Sequence, residues 1–181
     1  MRFICMEKPS LEELRSLLQR GVPLEEATKN LGWKDFEGVV SDAFEASGFR
    51  TLRNLRFSHN KKRYEIDVVA MERPRLVAVD CKHWGLRAGK SSALKTASLA
   101  QLRRAVDLGR KAQEIPGMNI GGWGEASIVP CIVTLYEERV IENGGVLVVP
   151  LCKLNAFIEE LRSGYFDSLK AKMMTMYPWL Q

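Results

Sequence analysis

YEIDVVAMERPRLVAVDCKHW, residues 64–84, holds two apolar runs on either side of Glu-Arg-Pro-Arg, and both become ionic at the end far from that turn. Successive side chains of a strand point to opposite faces, so residues two apart share a face. Leu76, Ala78, Asp80 and Lys82 line one side of the second run, and Val77, Val79, Cys81 and His83 line the other. The latter side is core-like, and His83 reads as a packed histidine rather than a general base. Together the runs form an antiparallel hairpin. If Glu72–Arg75 is the loop, Met71 faces Leu76, Val69 faces Ala78, Asp67 faces Asp80 and Glu65 faces Lys82. If Pro74-Arg75 alone makes the turn, the pairing slides by two and the aspartates become diagonal neighbours. Either register places both carboxylates on one face. Like charges so close destabilise a sheet, unless one holds a proton or a divalent cation sits between them. Lys82, one step along, eases the repulsion and leaves room for a metal. Hard oxygen donors with water in the remaining positions suit Mg2+. An ion there could make hydroxide from water and stabilise a pentavalent phosphate.

Working outward, SLEELRSLLQRG (10–21) reads as a helix capped by Ser10 and stopped by Gly21, with Leu11, Leu14, Leu17 and Leu18 on one side. A second helix, 23–32, starts at Pro23. Asp35 is placed to cap a third, which closes at Gly48 and carries the stripe Phe36, Val39, Val40, Ala43 and Phe44. Asp42 and Glu45 fall away from that stripe, whereas Glu37 falls at its edge beside Phe44. The first two helices resemble a helix-turn-helix, whose second member would enter a major groove by its N-terminal end. That end is Pro-Leu-Glu-Glu, which would face phosphates with acids, and the leucines equally fit packing or dimerisation. Strands are expected at 50–57, 63–71 and 76–83. A helix over 95–113 should turn Leu99, Leu102, Ala105, Val106 and Gly109 inward. The glycine-rich stretch 118–127 reads as a mobile loop. IVPCIVTL (128–135) and GVLVVP (145–150) read as buried strands, and 153–162 as a closing helix. The order predicts an α/β sandwich, a mixed sheet flanked by helices.

The chain of 181 residues suits one domain with a small appendage. No apolar run approaches the length of a membrane-spanning helix, and MRFICMEKPS lacks the apolar stretch of a signal peptide. A cytoplasmic protein with no membrane partner is the expectation. The cysteines Cys5, Cys81, Cys131 and Cys152 are widely spread, with two histidines in the chain, which argues against structural zinc and against disulfides. Three of the four sit in apolar strand-like or strand-end settings, where they read as small buried hydrophobes. Net charge is +5, and its distribution says more than its size. RTLRNLRFSHNKKR (50–63) holds six Lys/Arg residues and no acid, the footprint a phosphate backbone requires.

Glu37 on a helix, Ile66-Asp67, and Asp80-Cys81-Lys82 on the next strand resemble the PD-(D/E)xK nuclease superfamily, with the closer likeness to its Mrr-type and archaeal Holliday-junction-resolvase branches. DFEGVVSDAFEASGFRTLRN resembles the opening helix and strand of those proteins, VAVDCKHW their catalytic strand, and the segments from Pro130 to Leu161 their later strands and last helix. The proline common before the first aspartate is Ile66 here, and Asp80 stands where the Mrr branch often has glutamine. The resemblance implies a restriction-endonuclease-like α/β core over 34–165, an N-terminal helical extension over 1–33 and a tail over 166–181. It implies a Mg2+-dependent phosphodiesterase, with Mn2+ as a substitute, that leaves 5′-phosphate and 3′-hydroxyl ends. Asp67, Asp80 and the Cys81 carbonyl would hold the ion, and Glu37 would bind through water or a second ion. Lys82 would orient the attacking water. Gln101 is a further polar candidate, with an ordinary surface glutamine as the alternative, and Ser58 a candidate phosphate contact. Arg53, Arg56, Lys61, Lys62 and Arg63 would position a DNA backbone rather than read bases. A duplex or branched DNA has two strands to cut, which suggests a homodimer. A non-catalytic DNA-binding module on the same fold, or an RNA endonuclease with the same metal site, are the rival readings.

Overall fold

The computed structural model describes residues 11–28, 32–82, 90–124, 126–135 and 141–164. Three helices come first, α1 (Leu11–Gln19), α2 (Leu24–Ala27) and α3 (Trp33–Ala46). The meander β1 (Arg50–His59), β2 (Lys62–Glu72) and β3 (Arg75–Lys82) leads into α4 (Lys90–Lys111). Then follow β4 (Ser127–Thr134), β5 (Ile141–Asn143), β6 (Val146–Pro150), a short 3-10 turn and α5 (Leu154–Arg162). The six strands form one sheet in the order β1-β2-β3-β4-β6-β5. β1, β2 and β3 are antiparallel, β3, β4 and β6 are parallel, and β5 closes the edge antiparallel to β6.

Helices cover both faces, as the sequence predicts. On one, Val68, Ala70, Val77, Val79 and Cys81 pack with Phe36, Val40 and Phe44 of α3 and Phe157 and Ile158 of α5. Leu14 of α1 and Ala27 of α2 are buried in that same cluster, and Leu17 packs against it, so these two leucines serve the chain's own core. On the other face, Val69, Met71, Leu76 and Ala78 pack with Ala105, Leu108 and Ala112 of α4.

Several expectations need correction. Asp35 does not cap α3. Gly32 does, and the Asp35 carboxylate, three residues in, accepts the Gly32 N–H at 3.2 Å. The second helix is a single turn, Leu24–Ala27, and Lys29–Leu31 lie outside the described residues. On α4, Leu102 and Ala105 are buried as expected, but Leu99 is 45% exposed, and Leu94, Ser98, Gln101 and Leu108 belong to the buried side instead. Gly109 faces the sheet, since a Cβ there would meet Ile128 Cδ1 at 2.4 Å. The glycine-rich loop is anchored: Met118 and Ile120 are buried, and Arg50 donates to the carbonyls of Gly117, at 2.6 Å, and of Met118. Cys81 and Cys131 are buried as expected, their thiols pushed up by burial and so kept protonated, but Cys152 is exposed. Cys5 lies outside the described residues.

Candidate active site

The β2–β3 register is the first of the two foreseen, with Met71 opposite Leu76 and Val69 opposite Ala78, though Glu72 and Arg75 also pair and leave Arg73-Pro74 as the turn. Paired residues end at Val68 and Val79, one step short of Asp67 and Asp80. The pleat breaks there. Ile66 and Val69, three apart, both pack in the α4-side cluster, and so do Leu52 and Leu55 on the neighbouring strand. Asn54, between that pair, has the left-handed φ of 52° that lets a strand reverse its alternation. Asp67 therefore does not simply share a face with Asp80. It turns into the gap between the strands, where its Oδ2 accepts the Cys81 N–H at 2.7 Å in place of a backbone carbonyl.

Asp80 is buried beneath α4 at the C-terminal end of β3. Lys82 Nζ lies 2.8 Å from its Oδ2, and Arg104 Nη1 donates to its Oδ1 at 3.0 Å. The lysine contact is an ion pair without hydrogen-bond alignment, so Oδ2 accepts no directed hydrogen bond. Glu37, 3% exposed, enters from the first turns of α3 with its Oε2 likewise buried and without a hydrogen-bond donor. Burial, helped by the charges of Asp80 and Glu37 and opposed by the Cys81 N–H and Lys82, pushes the Asp67 carboxyl up to about 6. Orphaned buried oxygens and a carboxyl reluctant to ionise are what a divalent cation would relieve. Among the described residues no three His, Cys, Asp or Glu side chains converge on one point.

Gln101 is no surface residue. It is fully buried, its Nε2 donates to the Ala78 carbonyl at 2.7 Å, and its Oε1 accepts from Arg104 at 3.2 Å. Arg104 escaped the sequence reading. The signal was a glutamine inside the buried face of α4 with an arginine one turn on, which marks a polar contact aimed at the sheet.

The basic residues are spread along β1 and the β1–β2 hairpin. Asn60 and Lys61 both have positive φ (48° and 63°), giving a two-residue turn of the kind that matches strand twist. Lys61, Lys62, Arg63 and Ser58 are exposed around that tip. Arg56 is paired with Glu65 at 3.2 Å, and Phe57 stacks on Tyr64 at 5.2 Å. Together with Ser58 and Arg63 these four line an open hollow. Asp107 of α4 tethers the hairpin, facing His59 Nε2 at 3.7 Å and holding the Tyr64 hydroxyl, whose pKa that hydrogen bond raises. Arg53 lies nearer the acids: it donates to the Lys34 carbonyl at 3.0 Å and packs over Gly38, beside Glu37. His83, expected on the core side, lies outside the described residues.

A mixed sheet flanked by helices, with acids and a lysine gathered at the end of its third strand, defines a restriction-endonuclease-like α/β domain. Residues 28–116 match the family Mrr_cat, described as restriction endonuclease, a match consistent with the PD-(D/E)xK nuclease superfamily. The family implies nuclease, hence hydrolase, activity on nucleic acid. An uncharacterized protein of Archaeoglobus fulgidus is 29% identical over 129 residues, 71% of this chain and 91% of that protein. Two solved structures are similar. One, a protein of unknown function, has 18% identity and a TM-score of 0.42, covering 69% of this chain and 63% of that one. The other, from Vibrio cholerae, has 16% identity and a TM-score of 0.41, covering 80% and 37%. The chain thus spans less than two thirds of either. Among the described residues no helix is long and apolar enough to cross a membrane.

Proposed function

We propose that this protein is a Mg2+-dependent endonuclease that hydrolyses phosphodiester bonds in DNA, Mn2+ serving as a substitute. The observation that carries the reading is the part-buried group of Asp67, Asp80 and Lys82 with the orphaned Glu37 oxygen beside it. A binding module would gain nothing from buried carboxylates facing a phosphate. Asp67, Asp80 and the Cys81 carbonyl would hold the ion, and Glu37 would add a further acceptor beside them. When bound, the ion supplies an activated water and neutralises charge on the phosphate. Lys82, held on Asp80, orients the attacking water and offsets negative charge as it develops. Water adds to phosphorus as the bond to the 3′ oxygen breaks, leaving a 5′-phosphate and a 3′-hydroxyl. Gln101 fixes α4 against β3 behind the acids. Arg53, Arg56, Lys61, Lys62 and Arg63, with Ser58, hold the backbone along the hairpin, and two copies act on the two strands of a duplex or branch.

Cleavage of labelled linear, branched and single-stranded DNA, and of RNA, with Mg2+ or EDTA tests this beside Asp80→Ala. Mg2+-dependent cutting of DNA that the variant loses is the expected result. Binding without cutting in Mg2+ or Mn2+ would favour the non-catalytic module, and cutting confined to RNA would move the substrate.

A further inference from the structure

Asp80 carries two cations where one neutralises it. Lys82 Nζ sits at Oδ2, and Arg104 Nη1 at Oδ1, 2.8 and 3.0 Å away. The same Nη1 also donates to Gln101 Oε1 at 3.2 Å, and Gln101 is itself locked to the Ala78 carbonyl. Arg104 is therefore delivered to the acids by a buried relay from β3 through α4. It nonetheless keeps 29% of its side chain exposed, so the residue is not sealed inside the fold. A guanidinium and a divalent ion compete for the same carboxylate lone pairs and repel one another at close range. Whatever brings an ion onto Asp80 weakens the hold of Arg104 there, while its bond to Gln101 needs no carboxylate and can persist.

We propose that Arg104 is a substrate-phosphate ligand of this site, held on Asp80 until a divalent ion takes that carboxylate and then released to a non-bridging oxygen of the phosphodiester. This rests on the nuclease reading above. A planar guanidinium presents paired N–H donors that match two phosphate oxygens, which an ammonium does not. Lys82 is left to the attacking water, so the two cations divide the work. Gln101 becomes a positioning residue, since it aims Arg104 without reaching the substrate.

The test measures two affinities besides activity. Ca2+ and Mn2+ are titrated calorimetrically into wild type, Arg104→Gln and Arg104→Lys, and a fluorescent DNA duplex is then titrated with and without Ca2+. Removing the competing cation should tighten ion binding in Arg104→Gln by about threefold or more, as expected for a charge a few ångströms away. The same variant should lose about tenfold in Ca2+-dependent duplex affinity, the scale of a charged hydrogen bond, with Arg104→Lys recovering part of it. Ion affinity that is unchanged or weaker in Arg104→Gln, or Ca2+-dependent duplex binding equal to wild type, would overturn the proposal. Wild type that binds the ion and the duplex but cuts neither DNA nor RNA would sink the nuclease reading alone, because the two affinities still decide Arg104. Wild type that takes no divalent ion would overturn both.

Discussion

The acids do different work: Glu37 and Asp80 are buried, while Asp67 is half-buried. Asp67 is raised to about 6 from an ordinary 3.8, chiefly by burial, so its ionised form is the disfavoured one in the fold. Its contribution to stability is fully present below about pH 4 and lost as pH rises through about 6. Asp67→Asn keeps an acceptor for the Cys81 N–H and removes the charge. Melting in EDTA should therefore show this variant more stable than wild type above pH 6, with the gain vanishing towards pH 4, while Mg2+-dependent cleavage is lost. Asp80→Ala should behave oppositely. It strips Lys82 and Arg104 of their shared carboxylate, and a lower melting temperature at pH 7 should accompany a loss of cleavage of about a hundredfold or more.

At the scale of elements, α4 and the β1–β2 hairpin carry the testable consequences. Gln101→Leu leaves the Ala78 carbonyl buried without its donor, a cost of about 1–3 kcal/mol that urea unfolding would measure. Replacing Lys61, Lys62 and Arg63 together by Ala should weaken duplex binding at all sequences alike. It should also flatten the dependence of log K on log salt by about 0.9 for each phosphate no longer neutralised. The sequence revealed that β2 and β3 pair, because apolar residues matched across the turn, and narrowed the register to two, of which the structure has the first. It did not reveal the break in alternation at Asn54 and Asp67, since one left-handed backbone angle reverses a strand's faces without changing its composition. Nor did it reveal that Leu99 faces away from the sheet: it fits an apolar stripe on paper, but the buried side of α4 also takes in the polar Gln101, which holds the Ala78 carbonyl. β5, Ile-Glu-Asn, is too short and polar to announce itself. Asp67, Asp80, Lys82 and Glu37 were legible as types in context, whereas Arg104 became visible only through its partners.

Across the whole molecule, the family match ends at residue 116 but the sheet does not. β3 pairs with β4 along its full length, from Arg75 and Ser127 to Lys82 and Thr134. A fragment of residues 28–116 would leave β3 as an edge with both faces apolar, and it should show no cooperative urea transition by circular dichroism. The same topology bears on synthesis at the ribosome. Every acid and cation assigned to the site has been made by residue 104, but the strand that flanks Asp80 comes with residues 127–134. Arg162, which bridges Glu72 and the Ser47 carbonyl and lies over the Phe49 ring, comes later still. A nascent chain thus carries every side chain of the site well before it has the strand that flanks them, so the site can be assembled only once the later strands are made.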